Sequence, residues 1–491
     1  MDKECFEKHQ KYLDFYKEYF QKNVTGEEFW GLGIENESYL TLQEKEQVTK
    51  SFIIDNHRPE RYSVNYWKNF KSKTLSVAME GLPNCIYVPI YINSYFFQYA
   101  DLLGEHLTTY SAAPKDNPKF SGETIDQFLR RTSPIFNKLM HKNIIYDGDT
   151  FEFTTFNFYK GTVASTIKEL KDIKKEFLEE INKRLVSKFT IFKKSLVYPD
   201  HNYGFVKFIS NLSNISICNN ATYHINLTLP TRLDLSGNIQ DPEQFKTQHA
   251  NAIRAIQWIE PLIVCIYGSP DILHIINQEY AQGSQRLAFS RYIGLGTYDT
   301  NIMEKGKLLD TFNYKMGDSY FTGMHANSPY IPPDTIGYDF NYNKFKNHGI
   351  ELRILDWFPE EYLEHIINLL VVVCQHSLFF TIPDPRKNEA WKDFCATSIM
   401  KGYKAHVTPN LYLKLYEIFG FSKVTCWPFH FEKKPQVILE CLSTYLYKKY
   451  KLNDLCSKMS PNMKPIQIIN YNKQMRKIFQ NILKNFKKLN L

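Results

Sequence analysis

Alternation of apolar and polar side chains is the clearest pattern in this chain, and it predicts several β-strands. The longest example is TYHINLTL at 222–229, in which every second residue is polar. Residues two apart in a strand point to the same side, so His224 and Asn226 should share a polar face. We expect this strand to lie within 220–230 and to end at Pro230, since proline lacks the N–H that a sheet requires.

Three further segments show the same alternation, with carboxylates on the polar side. They are a strand at 29–41 with Glu35 and Glu37, a turn and strand at 146–158 with Glu152 and Thr154, and a strand at 348–359 with Glu351 and Arg353. For any single strand, an antiparallel sheet with one solvated face is a sufficient explanation. Together the four strands carry Glu–Glu, Glu–Thr, His–Asn and Glu–Arg pairs, whereas solvated faces are typically Lys, Ser and Thr.

Longer-period apolar patterns predict helices between and after these strands. The predicted helical segments are 1–22, 163–190, 241–267, 360–380 and most of 388–491. Long helical stretches separate the strands without the short, regular spacing of β-α-β units. The sequence therefore predicts an α+β fold with an antiparallel sheet rather than a doubly wound parallel sheet.

Composition narrows the possible partners and the compartment. The 491 residues carry a net charge of +8 and nine scattered cysteines without a C-x-x-C pair. The charge favours anionic partners, but no Arg-rich tract or aromatic–basic repeat indicates nucleic acid. Dispersed cysteines argue against a structural zinc module and fit reduced thiols, so we expect a cytoplasmic protein.

Two segments bear on membrane association. The first 20 residues are charged throughout and have no apolar signal core. The longest apolar run, at 366–380, includes Asn, Gln and His and is short for a membrane span. We expect a buried helix there, and no membrane span.

Carboxylates gathered on one sheet face require positive charge nearby. Like charges at close range repel, and burying them is costly unless a cation or a basic group lies between them. Oxygen-rich ligands with a single imidazole suit Mg²⁺ or Mn²⁺ better than zinc. Because Mg²⁺ usually binds together with nucleotide phosphates, the pattern indicates a nucleotide site.

The order of GIENES, DGDTFEFTTF, YHINLTLP and GIELRILD resembles the amidoligase branch of the carboxylate–amine ligases. These share a glutamine synthetase-like fold with glutamate–cysteine ligases. The similarity covers mainly 29–41 and 146–375. It implies a curved antiparallel sheet that forms an active-site cup, with helices on the outer face. It also implies a catalytic domain at 1–385 with an insertion at about 42–140, followed by a helical, basic region at 386–491 that matches no known pattern.

The resemblance further implies ATP-dependent formation of an amide, in a peptide or isopeptide bond. A carboxylate attacks the γ-phosphate to give an acyl phosphate, which an amine then captures. ATP and Mg²⁺ or Mn²⁺ are the implied cofactors. The carboxylate and the amine would belong to an amino acid, a peptide or a protein side chain, and the sequence does not distinguish these.

The same resemblance assigns roles to individual residues. It implies metal ligands at Glu35, Glu37, Glu152 and Glu351, nucleotide- or substrate-binding groups at His224 and Asn226, and a catalytic cation at Arg353. Arg353 would clamp either the transferred phosphoryl group or the substrate carboxylate. The DGDT turn offers Asp147 and Asp149, and which of them joins the site is open; we take Asp149 as the candidate binding residue.

GSQRLAFSRYIGLG at 283–296 lies between the third and fourth strands. Arg286 and Arg291, with the glycines that follow, could form a cationic flap over the phosphates and are further catalytic candidates. The alternative is an ordinary loop with two solvated arginines, since G-L-G alone is not a phosphate loop.

Two other functions are compatible with the sequence. One is a phosphotransferase on the same fold that stops at a phosphorylated product. The other is a relative without activity that keeps the fold for binding or as a scaffold. Four glutamates together with Arg353 favour an enzyme, because buried carboxylates without a cation destabilise a fold.

Overall fold

The computed structural model describes most of the predicted strands and helices. The described residues are 28–42, 90–101, 122–186, 195–199, 205–217, 222–269, 283–284, 298–299, 304–305, 338–344, 347–421 and 433–452. They form helices and a large, mainly antiparallel sheet, which confirms the predicted α+β class.

The largest sheet has eight strands in the order β11-β10-β12-β13-β9-β1-β5-β4. All of its neighbouring pairs are antiparallel except β10 and β12. The strands of the described chain are β1 Glu28–Ser38, β2 Thr41–Leu42, β3 Ile90–Tyr91, β4 Ile144–Asp147, β5 Thr150–Thr154, β6 Leu196–Val197, β7 Phe205–Phe208, β8 Asn211–Ile217, β9 Tyr223–Arg232, β10 Tyr298–Asp299, β11 Glu304–Lys305, β12 Tyr338–Lys344 and β13 Asn347–Leu352. Two smaller sheets consist of β2 with β6, and of β3, β7 and β8.

The four strands with predicted polar faces are neighbours in this sheet, in the order β13-β9-β1-β5. The register places Glu35 opposite His224 on one side and Thr154 on the other. Glu37 lies opposite Glu152, and Asn226 lies opposite Glu351. Because residues opposite each other project to the same side, all of these side chains occupy one face.

The other face of the sheet packs against long helices. The described helices are α1 Ser94–Tyr99, α2 Ile125–Thr132, α3 Pro134–Lys142, α4 Val163–Leu185, α5 Pro242–Tyr267, α6 Leu363–Ser377, α7 Glu389–Lys401, α8 Pro409–Phe419 and α9 Pro435–Tyr450. Helix α4 contacts β1 and β5, and helices α5 and α6 contact β9. None of the helices in the described chain is long and apolar enough to span a membrane.

One continuous apolar cluster holds these layers together. Leu32 and Ile34 of β1 and Leu227 of β9 enter it and are each 1% exposed. Side chains of α2, α3 and α7 to α9 belong to the same cluster. The described parts of the predicted insertion and of the C-terminal region thus share a core with the sheet, and the domain boundaries themselves stay predictions.

Helix ends follow local sequence signals. Thr162 forms a capping box with Ser165 at the start of α4. Asp241 accepts a hydrogen bond from the Gln244 N–H at the start of α5, whose first residue is a proline. Both arrangements satisfy N–H groups that a helix leaves without intrahelical partners.

Four predicted strand ends are wrong. The strand predicted at 29–41 ends at Ser38, and the one predicted at 146–158 ends at Thr154. Pro230 does not end β9, which continues to Arg232 because the pairing with β1 shifts register by one residue there. A bulge tolerates a proline because the extra residue does not need to donate to the ladder. The strand predicted at 348–359 ends at Leu352, and an irregular segment follows. The predicted helix at 1–22 lies outside the described residues.

Candidate functional site

Three strands bring Glu35, His224 and Glu351 together on the polar face. One ligand atom from each lies within 4.8 Å of the others. His224 Nδ1 is 3.3 Å from Glu35 Oε2 and 3.5 Å from Glu351 Oε1. The His224 and Glu351 side chains are 1% and 0% exposed and that of Glu35 is 12% exposed, so this first acidic group is largely shielded from water.

Asn226 and Arg353 border the first acidic group. The Asn226 amide Nδ2 lies 3.5 Å from Glu35 Oε1, and Arg353 Nη1 lies 2.5 Å from Glu351 Oε1. Arg353 follows the last residue of β13, and its side chain is 12% exposed. The guanidinium therefore partly compensates the charge of Glu351 while it lies at the edge of the group.

A second acidic group lies beside the first and consists of Glu37, Asp147 and Glu152. One carboxylate oxygen from each lies within 4.8 Å of the others. The His224 ring extends toward it, with Nε2 3.9 Å from Glu37 Oε1. The imidazole thus belongs to the first group and also reaches the second, so a cation in either group would interact with it.

The structure places the two aspartates of the DGDT turn differently. Asp147 is the last residue of β4, opposite Thr150, and its carboxylate joins the second group. Asp149 is buried in the turn that follows, and its main-chain carbonyl accepts a hydrogen bond from the Ser94 N–H at 2.9 Å. The two acidic groups formed by the described residues do not include Asp149. The two-residue turn between β4 and β5 sets the register that brings Asp147 into the group. This turn was the feature of the sequence from which the choice of Asp147 could have been made.

The polar face of β1 is closed by aromatic rings at its N-terminal end. The ring of Phe158 lies over Gly31 and Gly33, where an added Cβ would come within 2.1 Å and 2.9 Å of it. Only glycine leaves room for a ring lying so close to the strand. Phe158 belongs to a small cluster with Phe156, Tyr159 and Leu233, all of them buried.

A second aromatic cluster lies beyond the C-terminal end of the same face. Tyr39 follows Glu37 by two residues and packs against Tyr91 and Phe208, with ring centroids 6.0 Å and 5.0 Å apart. These three residues form a cluster separate from the main core. Tyr95 and Trp357 pack against it and are only partly buried.

The ligand types in the two groups fit Mg²⁺ or Mn²⁺. The two groups contain five carboxylates, one imidazole and no cysteine, and the Asn226 amide lies beside Glu35. Hard divalent cations prefer oxygen ligands, whereas structural zinc sites are usually built from Cys and His. Repulsion among buried carboxylates also favours a bound cation.

Three cysteines in the described part of the chain are poorly suited to nucleophilic chemistry. Cys265, Cys374 and Cys395 are buried thiols. Burial raises the pKa of Cys374 to about 12, and it raises the pKa of Cys265 as well. Thiols of this kind stay protonated near neutral pH and are weak nucleophiles. Of the other predicted site residues, Arg286 and Arg291 lie outside the described residues.

Comparison with known proteins places the chain in a family. No family model matches it. It is 39% identical over 478 residues to "Uncharacterized protein R704" of Acanthamoeba polyphaga mimivirus, across 94% of this chain and 82% of that protein. The chain belongs to the family of that mimivirus protein. Because the similarity extends over nearly the whole chain, the two proteins share more than the strands that carry the acidic groups.

Proposed function

We propose that this protein is an ATP- and Mg²⁺-dependent carboxylate–amine ligase that forms an amide through an acyl phosphate. The observation that supports this most is the adjacency of the two acidic groups, Glu35–His224–Glu351 and Glu37–Asp147–Glu152, on one face of the sheet. Five carboxylates from four strands converge there. Four of them, Glu35, Glu37, Glu152 and Glu351, are the residues that the amidoligase resemblance implies as metal ligands.

The geometry suits a metal–nucleotide complex rather than a lone ion. Mg²⁺ keeps several waters and is commonly held by one or two carboxylates together with phosphate oxygens. The first group offers two carboxylates and the second offers three. The His224 ring reaches both groups, because Nδ1 lies 3.3 Å from Glu35 Oε2 and Nε2 lies 3.9 Å from Glu37 Oε1. Two cations held side by side would let phosphate oxygens bridge them, as in many phosphoryl-transfer sites.

Arg353 has the position of a group that stabilises transferred charge. Its guanidinium contacts Glu351 at 2.5 Å and lies at the margin of the first acidic group. Phosphoryl transfer depends mainly on positioning and charge neutralisation. In this proposal the Arg353 fork holds the phosphoryl oxygens or the substrate carboxylate, and Glu351 keeps the fork oriented.

The glutamine synthetase-like fold is part of the same proposal. An acidic sheet face with helices packed behind the opposite face supports it. A scaffold without activity is less compatible with these residues, because burying several carboxylates costs stability unless a cation offsets their charge.

The test is to incubate the full chain with ATP, Mg²⁺ and pooled amino acids and to measure ADP release. The expected result is ADP together with an amide, identified by mass spectrometry, and loss of both in Glu35→Gln. ADP with a phosphorylated acceptor would indicate a phosphotransferase. Failure to bind Mg·ATP at all would contradict the proposal.

A further inference from the structure

The two ends of the acidic face differ in how much aromatic surface is available to a ligand. At the Gly31 end, Phe158 is 1% exposed and Tyr159 4%, so their rings are already covered by protein. At the Glu37 end, Tyr39 is fully buried, but Tyr95 and Trp357 retain exposed surface. Two partly exposed aromatic side chains are therefore available to a planar ligand group at the Glu37 end, against one, Phe29, at the Gly31 end.

Two of the strands that carry site residues, β1 and β13, lead toward this aromatic cluster. β1 and β13 are each antiparallel to β9, so they run in the same direction. Tyr39 follows Glu37 by two residues, and Trp357 follows Arg353 by four. At about 3.4 Å per residue, Tyr39 lies about 7 Å beyond Glu37 along the strand.

The segment that carries Trp357 is anchored on both sides. Leu355 and Phe358 enter the main core, and the Leu355 carbonyl accepts a hydrogen bond from the Thr222 hydroxyl. The Ser269 hydroxyl donates to the Trp357 carbonyl at 3.1 Å. The backbone that carries the indole is therefore held in position, while Trp357 remains partly exposed.

We propose that Tyr95 and Trp357 form the stacking surface for the base of the nucleotide whose phosphates lie at the two acidic groups. The proposal rests on the proposed function, since it assumes that the acidic groups hold a metal–triphosphate. It assigns one end of the acidic face to the base and leaves the margin at Arg353 for the acceptor carboxylate. Stacking tolerates any planar base, so this surface should bind purine nucleotides with little discrimination.

The experiment compares two probes, Mg·ATP and Mg·tripolyphosphate, which share the phosphates but not the base. Binding is measured by calorimetry on the full chain, for wild type, Trp357→Ala, Trp357→Phe and Tyr95→Ala. Phe379→Ala is the matched control, because Phe379 is an aromatic residue that is 63% exposed and belongs to another region. Melting temperatures establish that each variant is folded.

Loss of one base–aromatic stacking contact should weaken Mg·ATP binding about tenfold or more in Trp357→Ala. Mg·tripolyphosphate binding should stay within about twofold of wild type, and Trp357→Phe should retain most of the affinity for ATP. Phe379→Ala should bind both probes as wild type does.

Equal loss of both probes in Trp357→Ala would overturn the proposal, since it would show that Trp357 supports the acidic groups instead. Unchanged ATP binding in both Trp357→Ala and Tyr95→Ala would also overturn it. If wild type bound neither probe, the proposed function would itself be wrong. If wild type and variants bound both probes equally well, only the stacking proposal would be wrong, and the proposed function would stand.

Discussion

The two faces of the central sheet are stabilised in different ways, although they alternate along the same strands. On β1, Leu32 and Ile34 enter the apolar core, where burial alone is favourable. On the other side, Glu35 and Glu37 join buried carboxylates. Such groups favour folding only with a compensating charge. The apolar face should therefore determine whether the chain folds, and the acidic face should determine what it binds.

The largest expected effect is on the apolar face. Leu227→Ala removes a side chain that is 1% exposed and leaves a cavity between the sheet and its helices. We expect the free energy of unfolding to fall by about 2–5 kcal/mol, and by the same amount with or without Mg·ATP. Urea denaturation measures this, with Leu235→Ala as a control, since Leu235 is 57% exposed. A loss that Mg·ATP restores would contradict the separation of the two faces.

Arg353→Lys should have the opposite character, a large loss of activity with little loss of stability. Lysine keeps the charge but not the planar fork that binds two oxygens at once. We expect ATP turnover to fall about a hundredfold or more, with little change in melting temperature. Unfolding of the variant, or intact turnover, would show that Arg353 is a structural partner of Glu351 and has no catalytic role.

His249 links the stability of the apolar side to pH. Its Nε2 accepts a hydrogen bond from the Leu229 N–H of β9, and Nδ1 donates to the Phe245 carbonyl. Burial lowers the pKa of His249 to about 3, although the Phe245 hydrogen bond opposes this. The unfolded chain, with an ordinary pKa near 6.5, binds the proton more readily, so stability falls as pH drops from about 6.5 toward 3.

From pH 6.5 to pH 5 this amounts to about 2 kcal/mol. Denaturation curves at several pH values would reveal it. The slope should be shallower in His249→Gln, which keeps an acceptor and a donor but does not titrate. An equal slope in both proteins would assign the pH dependence to other groups.

The smallest effect concerns the pair of carboxylates that lie opposite each other, Glu37 and Glu152. Like charges at facing positions destabilise a sheet, so Glu152→Gln should raise stability by about 0.2–1 kcal/mol in the absence of divalent cations. The same variant should gain less than wild type from added Mg²⁺. Thermal shifts with EDTA and with Mg²⁺ measure both quantities. A variant less stable than wild type in EDTA would mean that this carboxylate is needed without a metal.

Alternation in the sequence was sufficient to predict which site residues of one strand share a face. Residues two apart in a strand must share a face, so the pairing of His224 with Asn226 and of Glu35 with Glu37 could be predicted without knowing the fold. That the four strands are neighbours could not be derived from periodicity, because strand order depends on long-range pairing. The order of motifs supplied it through the resemblance.

Other features depend on details that alternation does not report. Asp147 enters the second acidic group because of the register of a two-residue turn, and the sequence left it open against Asp149. Trp357 was predicted to lie in a strand at 348–359. That prediction gave no indication that Trp357 packs against the cluster of Tyr39, Tyr91 and Phe208. Its segment leaves the sheet because Leu355 and Phe358 both turn into the core, a tertiary effect that overrides local pattern.

Calorimetric titration of Mg·ATP into wild type and Glu35→Gln tests the central claim most directly. Glu35 is the carboxylate of the first group that contacts both His224 and Asn226, and glutamine keeps its size while removing the charge. The account predicts that wild type binds ATP only when Mg²⁺ is present, and that the variant binds at least a hundredfold more weakly while staying folded. Equal binding by the two proteins, or no binding by wild type, would contradict a metal–nucleotide site on this face.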